Sequence, residues 1–356
     1  MCADRAVDAR RSTTIRCLQP PLRDETRRSD ALMEFSLAVQ NNRLGASAEG
    51  MDAAGEVATR YGFKTLWVAD HLLVSRKGGP KADEWYAQYN LLEHEWILEA
   101  LLSLMYIGAR HQTVLLGLGV IVPAMRDAPA LAKEIASLDT LSGGRVVAGV
   151  GVGDEEDYLE YQNLGKVDRF KVRGAYLNET VALWRHLWSG RTDPFVGKFH
   201  QLNDFTFQPP PPQGGNLPIF ASGRSDRALA RVGTMLDGYL GSRWAPSQFH
   251  EKWPAAIERA RQNGRPKPYL AMRVRIRIGE QPDEIFSLCG EPEAVVAGLL
   301  DYEAAGADEV VLVFDAVKPE EVLRDTERFN REILEVYRER SRLQRAAAGG
   351  GPTRAA

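Results

Sequence analysis

The sequence predicts a (β/α)8 barrel carrying a hairpin insertion. Three observations lead there. From Met33 onward, apolar runs with strand spacing alternate with stretches of helical spacing, eight times over. After the first, the strand runs are mostly Val-, Ile- and Leu-rich without strict alternation, as parallel strands buried on both faces are. The composition does not change regime along the 356 residues, a length that suits one barrel-sized domain. A doubly wound open sheet is the alternative that the same β/α alternation allows.

Residues 1–32 mix Arg with Asp and Glu, hold few large apolar side chains and show no period. They read as a disordered extension, and the acids argue against an organelle-targeting peptide. Met33, just before a good strand, is a second candidate start. The barrel is expected over 33–342, and the segment 343–356, with "RAAAGGGPTRAA", reads as a disordered tail.

The elements follow in order. "EFSLAVQ" alternates apolar and polar residues from Phe35 to Val39 and predicts the first strand, and Ala48 to Gly62 has helical spacing ending on glycine. "KTLWVADH" is the second strand, followed by a long connection over 72–93 and a helix over 95–107. Residues 114–122, "VLLGLGVIV", form the third strand. Asp127 caps a helix whose Leu131, Ile135 and Leu138 share one face and which Gly143 stops. The fourth strand lies within "SGGRVVAGVGVGDEED", 142–157, and a long helix is expected from Arg169 to Trp188. Residues 190–216 are Pro-rich and read as the hairpin insertion. "LPIFAS", a helix over Asp226–Leu236, "GYLGS", a helix over 246–262 and "YLAMRVRIRI" come next. Glu293 to Ala305 is helical, "DEVVLVF" is the eighth strand, and a closing helix runs from Pro319 to Arg340.

Charge and composition narrow the function. Lys and Arg total 45 against 48 Asp and Glu, a net charge of -3, so no electrostatic footprint for nucleic acid or an anionic membrane exists. The longest uncharged apolar run, Thr113 to Met125, is too short to span a bilayer. Three separated cysteines, Cys2, Cys17 and Cys289, fit no metal or redox spacing and suit a reduced, cytoplasmic protein. No P-loop, G-x-S-x-G elbow or metal-ligand cluster is present, so no metal site is expected.

Three stretches carry chemistry. In "VVAGVGVG", Gly149, Gly151 and Gly153 fall on one face of the expected strand. Bare backbone there would let a flat ligand lie against it, and tight packing in a crowded barrel is the equal alternative. The spacing is not G-x-G-x-x-G, and the acids 154–157 would repel a pyrophosphate. In "ASGRSDRALARVG", 221–233, Ser222 and Gly223 leave a strand and Ser225 or Asp226 opens a helix, a setting for phosphate or simply for a capped helix. Asp70 and His71 stand together where the second strand ends, the face on which barrels do their chemistry, and imidazole exchanges protons near neutral pH.

"GFKTLWVADH", "LLGLGVIVPAMRDAPALAKEIASLDTLSGGRVVAGVGVGDEED", "LWSGRTDPFVGKFHQL" with "QPPPPQ", and "PIFASGRSDRALARVG" with "DGYLGS" together resemble the luciferase-like superfamily of flavin- and deazaflavin-dependent oxidoreductases. The likeness runs from about Met33 to Glu335, and 113–157 is its most specific part. It implies a barrel that binds reduced FMN or coenzyme F-420, acting on a small organic substrate by hydride transfer or oxygen insertion. A separate flavin or deazaflavin reductase and a second copy of the chain are the partners it allows. It implies that Asp70 contacts cofactor and that His71 is catalytic. Gly119 and Val120 match a third-strand bulge that presses on the ring; Gly151, Val152 and Gly153 lie beside it. Ser222, Gly223, Ser225 and Asp226 match the loop that holds phosphate. Asp154 falls at a catalytic position where the sugar-phosphate dehydrogenases of the family carry Glu, and their basic residues for substrate phosphate have no clear match. A non-catalytic flavin-binding or partner-binding barrel is the rival reading.

Overall fold

A computed structural model describes residues 32–73, 96–281, 287–316 and 318–349. Eight parallel strands close on themselves: β1 (Glu34–Val39), β2 (Thr65–Val68), β3 (Leu115–Ile121), β4 (Val146–Val150), β5 (Ile219–Ala221), β6 (Gly238–Ser242), β7 (Tyr269–Ile278) and β8 (Glu309–Val313). Each pairs with the next, and β8 returns to β1 through Phe35 beside Val310. This is the (β/α)8 barrel that the sequence predicts. The expected hairpin insertion is present as Phe195–Val196 antiparallel to Gln201–Leu202.

The helices are α1 (Ala48–Tyr61), α2 (Ala100–Arg110), α3 (Ala128–Ser142), α4 (Tyr158–Asn163), α5 (Val167–Phe170), α6 (Arg173–Trp188), α7 (Asp226–Thr234), α8 (Pro246–Gln262), α9 (Pro292–Ala304), α10 (Pro319–Phe329) and α11 (Glu335–Gly349). Local chemistry sets several ends. Asp127 Oδ1 accepts the Ala130 amide at 3.0 Å to start α3. Gly143, at φ 75°, ends it in the left-handed region that glycine adopts without strain.

The barrel interior holds a cluster of Ala38, Trp67, Val147, Phe220, Leu240, Tyr269, Ala271 and Val311. Its large rings require glycines opposite them. A Cβ on Gly117 would sit 2.4 Å from Trp67 Cε3, and one on Gly238 would sit 2.6 Å from Phe220 Cε1. At the end where the strands start, Glu309 is buried and accepts from Trp67 Nε1 at 2.9 Å and from the Tyr269 hydroxyl at 3.1 Å. That end is closed by packing and polar bonds, which leaves the C-terminal ends of the strands for chemistry.

Several expected boundaries differ. The helix expected over 95–107 begins at Ala100, because Glu99 Oε2 caps the Leu102 amide at 2.7 Å while Ile97 bridges to Asn42 in extended backbone. The helix expected from Arg169 is broken at Val172 (φ -107°, ψ 8°) into α5 and α6. Ser287–Gly290 adds a short parallel strand beside the far end of β7, which the sequence reading missed. The tail expected from 343 is instead helical to Gly349; Glu303 accepts from Ser341 Oγ and pairs with Arg345, which docks α11. The extension 1–31 and most of the 72–93 connection lie outside the described residues. Among the described residues, no helix is long and apolar enough to cross a membrane.

Candidate active site

The mouth of the barrel gathers the ends of β2, β3, β4, β5 and β7. Just past β2 stand Asp70 and His71. The Asp70 carboxylate is engaged by Arg126, whose Nη2 donates to Oδ1 at 2.5 Å and Nε to Oδ2 at 3.3 Å. Arg126 Nη2 also reaches Glu99 Oε1 at 2.9 Å. Burial pushes the Asp70 carboxyl above its ordinary range, with Arg126 pulling the other way. Asp70 thus ties the end of β2 to the segment following β3, in addition to any ligand it meets.

His71 has a partner that the sequence did not reveal. Its Nδ1 lies 2.9 Å from Glu160 Oε2, and Glu160 Oε1 accepts the amides of Leu72 and Leu73 at 2.7 and 3.0 Å. The Glu160 side chain is 3% exposed and that of His71 is 25% exposed. Burial draws the imidazole down, but the Glu160 bond and the charges of Glu160, Asp157 and Asp70 outweigh it and hold His71 above its ordinary value. Burial likewise works against the Glu160 carboxylate, yet His71 and the two amides keep it below the usual range. Both shifts have one cause: the contact favours the charged forms, carboxylate at Glu160 and imidazolium at His71.

Asp157 completes the group: ligand-type atoms of His71, Asp157 and Glu160 lie within 4.8 Å of one another. Asp157 Oδ2 accepts the Asp154 amide at 2.7 Å. The Leu72 and Leu73 amides and the His71 contact likewise engage the Glu160 carboxylate. Asp154 itself is exposed on the turn after β4, offering its backbone rather than its carboxylate to this arrangement.

On β3 the register with β4 shifts between Leu118 and Ile121, so Gly119 and Val120 form a bulge. The Gly119–Val120 peptide is cis. Arg273, on the opposite side of the barrel, donates from Nη1 to Gly119 O at 3.2 Å.

The glycines of β4 resolve the question of ligand face or packing. The strand ends at Val150, so Gly149, Gly151 and Gly153 do not share one regular strand face. A Cβ on Gly149 would lie 2.1 Å from Leu118 O; one on Gly151 would lie 2.8 Å from Val120 Cγ2. Both therefore make room for the bulge. Gly153 has φ 74°, and the Tyr161 hydroxyl bonds Val152 O beside it at 2.9 Å. The surface left toward the mouth is Val120 and Val152, both half-buried.

After β5, the Ser222 amide still bonds Val150 O at 3.0 Å. Gly223 has φ 108° and its carbonyl accepts the Tyr239 hydroxyl at 2.9 Å. Ser225 Oγ accepts the Ala228 amide at 3.2 Å and caps α7. The Asp226 side chain turns outward to Lys252 Nζ at 2.8 Å, so its backbone amide, not its carboxylate, is what the helix end offers an anion.

Sequence reasoning missed Glu160, Arg126 and Arg273. Glu160 is one acid among many, and only folding brings α4 against β2. Arg273 had a legible signal, since "RVRIRI" sets Arg273, Arg275 and Arg277 on one strand face.

The chain resembles several known proteins. It is 29% identical over 185 residues to an F-420-dependent glucose-6-phosphate dehydrogenase of Mycolicibacterium fortuitum, covering 51% of this chain and 54% of that protein. It is 27% identical over 236 residues to the protein of the same description from Nocardia farcinica, covering 65% of each. The chain thus spans a little over half to 65% of the length of these curated relatives. Among solved structures, an F-420-dependent tetrahydromethanopterin reductase from Methanopyrus kandleri superposes with TM-score 0.66 at 18% identity, covering 86% of this chain and 100% of that one. A monooxygenase from Streptomyces bottropensis does so with TM-score 0.66 at 20% identity and the same coverage. These likenesses are of fold. Residues 33–287, the greater part of the barrel with its bulge and its His71 corner, match the luciferase-like monooxygenase family, and the chain belongs to that family.

Proposed function

We propose that the chain is an oxidoreductase that holds a deazaflavin, coenzyme F-420, at the barrel mouth and moves a hydride to or from a small organic substrate. The observation that carries this reading is the His71–Glu160 pair at the end of β2, next to the β3 bulge. The F-420-dependent description of the relatives supports the choice of cofactor.

The residues present fit such a group. Val120 and Val152, both half-buried, give an apolar surface for a flat ring, with the Gly119–Val120 bulge behind it. The start of α7, past Gly223, has outward-facing amides and the positive end of the helix dipole for a phosphate. When bound, the deazaflavin supplies the hydride carrier. The protein's part is orientation, exclusion of water and proton handling. His71, held at Nδ1 by Glu160, is the group that exchanges a proton with substrate. Its raised proton affinity favours the protonated imidazole that a proton donor needs.

The family's description as a luciferase-like monooxygenase supports a second reading, oxygen insertion in the same place; for it we propose reduced FMN fed by a separate reductase. Anaerobic mixing of each reduced cofactor with protein and a panel of small carbonyl compounds, then admission of O2, tests both. The proposal expects oxidation of reduced F-420 by a carbonyl acceptor without O2. Consumption of O2 with reduced FMN alone would transfer the assignment to the second reading, and acceleration of neither would leave a binding barrel without redox chemistry.

A further inference from the structure

We propose that Trp67 and Tyr269, joined through the Glu309 carboxylate, form a one-electron relay inside the barrel. A one-electron oxidant at the mouth draws its electron from Trp67, and the oxidising equivalent comes to rest on Tyr269 at the closed end. The oxidant is a flavin-type ring in its photoexcited, oxidised form. The inference rests on the flavin-type reading above and adds to it a redox pair that hydride transfer does not use.

The Trp67 indole spans the interior between the two ends. It is 2% exposed, on β2, and stands beside Gly117 of β3. A Cβ on Gly119, in the bulge, would lie 3.3 Å from Trp67 Cβ and 3.5 Å from its Cε3. Val120, the surface proposed for the ring, packs on the interior cluster that holds Trp67. Ring and indole are therefore one layer of side chain apart. At its other edge the indole Nε1 donates to Glu309 Oε1 at 2.9 Å. The Tyr269 hydroxyl donates to the second oxygen, Oε2, at 3.1 Å and accepts from Lys64 Nζ at 2.9 Å. Glu309 is 1% exposed and Tyr269 is 7% exposed. The Phe220 ring fills the space between, its centroid 5.9 Å from that of Trp67 and 5.7 Å from that of Tyr269.

Indole and phenol groups give up a single electron more readily than the aliphatic side chains round them. Phenol does so only if its proton leaves too, because the phenol radical cation is a strong acid. A buried tyrosine thus needs a base within hydrogen-bond reach, and Glu309, accepting on both oxygens, is that base. The step balances. Trp67 passes one electron to the oxidant, which is reduced by one electron. Tyr269 returns an electron to Trp67 while its hydroxyl proton passes to Glu309 Oε2. Trp67 ends unchanged, Tyr269 is a neutral radical and Glu309 is protonated. Return of the electron and the proton restores all three.

Other aromatic groups have a different setting. The Tyr161 hydroxyl bonds Val152 O at 2.9 Å, a carbonyl that takes no proton. The indoles of Trp184 and Trp188 bond Ala128 O and Ala132 O, among the helices. Trp244, just past β6, has Arg224 and Lys252 at 5.7 and 5.6 Å from its ring, positive charges that oppose its oxidation.

The test uses the full chain with oxidised FMN and with F-420, binding being measured first by equilibrium dialysis. A laser flash excites the bound cofactor, and its fluorescence lifetime and the transient absorption are followed. Unaltered protein is expected to shorten the lifetime and to form a tryptophan radical that gives way to a tyrosyl radical. Trp67→Phe should restore most of the lifetime and abolish the tyrosyl radical, whereas Trp244→Phe should change neither. Tyr269→Phe should keep the short lifetime and prolong the tryptophan radical. Glu309→Gln, which keeps the shape and loses the base, should slow formation of the tyrosyl radical by about 10²-fold or more, the scale of a positioned base. A bound cofactor with the lifetime of the free one overturns the inference, whether or not the variants fold. A tryptophan radical that decays alike in Tyr269→Phe and in unaltered protein overturns it as well. If dialysis shows that neither cofactor binds, the flavin-type reading falls first and this inference with it.

Discussion

His71 Nδ1 lies 2.9 Å from Oε2 of Glu160, a carboxylate whose other oxygen is held by the amides of Leu72 and Leu73. The two residues are 89 positions apart, on β2's exit and on α4. The pair raises the proton affinity of the imidazole and fixes which nitrogen is committed.

Glu160→Gln removes the charge while keeping the shape. The imidazole should then fall back toward its ordinary proton affinity, so the alkaline limb of a pH–rate profile should move to lower pH. The linked stability has the same sign. A histidine raised on folding stabilises fully below its unfolded value and ceases to do so as pH rises through the folded value. The variant should lose stability chiefly on the acid side of that window, and melting curves across pH check it. An unmoved alkaline limb would dissociate Glu160 from proton transfer.

His71→Ala removes the exchangeable proton altogether. Acid–base assistance is worth ~10²–10⁴-fold in rate, so single-turnover rates should drop by about that much. Cofactor affinity should change little. A normal rate with a lowered melting temperature would make His71 a packing residue.

Gly149 and Gly151 separate sheet packing from ligand binding. At Gly149 a Cβ meets the backbone oxygen of Leu118, so Gly149→Ala should destabilise the protein by about 1–3 kcal/mol. At Gly151 the only close contact of a Cβ is the tip of Val120, at 2.8 Å, which can turn; Val122 Cγ2 lies 4.0 Å away. Gly151→Ala should therefore fold nearly normally and weaken cofactor binding through a displaced Val120. Denaturant midpoints and cofactor titrations on the two variants check the contrast.

The barrel was legible because buried parallel strands and capped helices write their period locally: Asp127 and Gly143 mark α3 at both ends. The position of His71 was legible for the same reason, as the residue just beyond an apolar run. What opposes it was not. Glu160 reaches His71 only because the turn after β4 folds α4 over the mouth, and no local pattern encodes that approach. The alternating glycines misled, because their regular spacing implies a strand face, whereas the strand stops at Val150 and the spacing serves the β3 bulge.

The start of α7 offers a phosphate test. Gly223→Asp places a negative charge and a side chain at a left-handed position beside the helix end. Affinity for FMN should fall much more than affinity for riboflavin, which lacks the phosphate. Ser225→Ala should cost about 1 kcal/mol of stability by removing the cap on the Ala228 amide. Equal losses for the two ligands would place the phosphate elsewhere.

Asp70 and Arg126 form a largely buried pair, their side chains 6% and 13% exposed. Asp70→Ala leaves Arg126 with Glu99 alone and removes a charged, buried hydrogen-bond partner, so it should destabilise by about 1.5–3 kcal/mol. Thermal and urea unfolding measure it. A loss of cofactor affinity with unchanged stability would instead make Asp70 chiefly a ligand contact.

The central claim is that the barrel mouth beside His71 binds a flavin-type ring, and a fluorescence titration of the purified chain with coenzyme F-420 and with FMN tests it most directly. The account predicts saturable one-to-one binding of at least one of them, abolished in Gly151→Leu while that variant keeps its fold, because a leucine there drives Val120 into the space for the ring. Failure of both cofactors to bind, or binding that Gly151→Leu leaves intact, would contradict it.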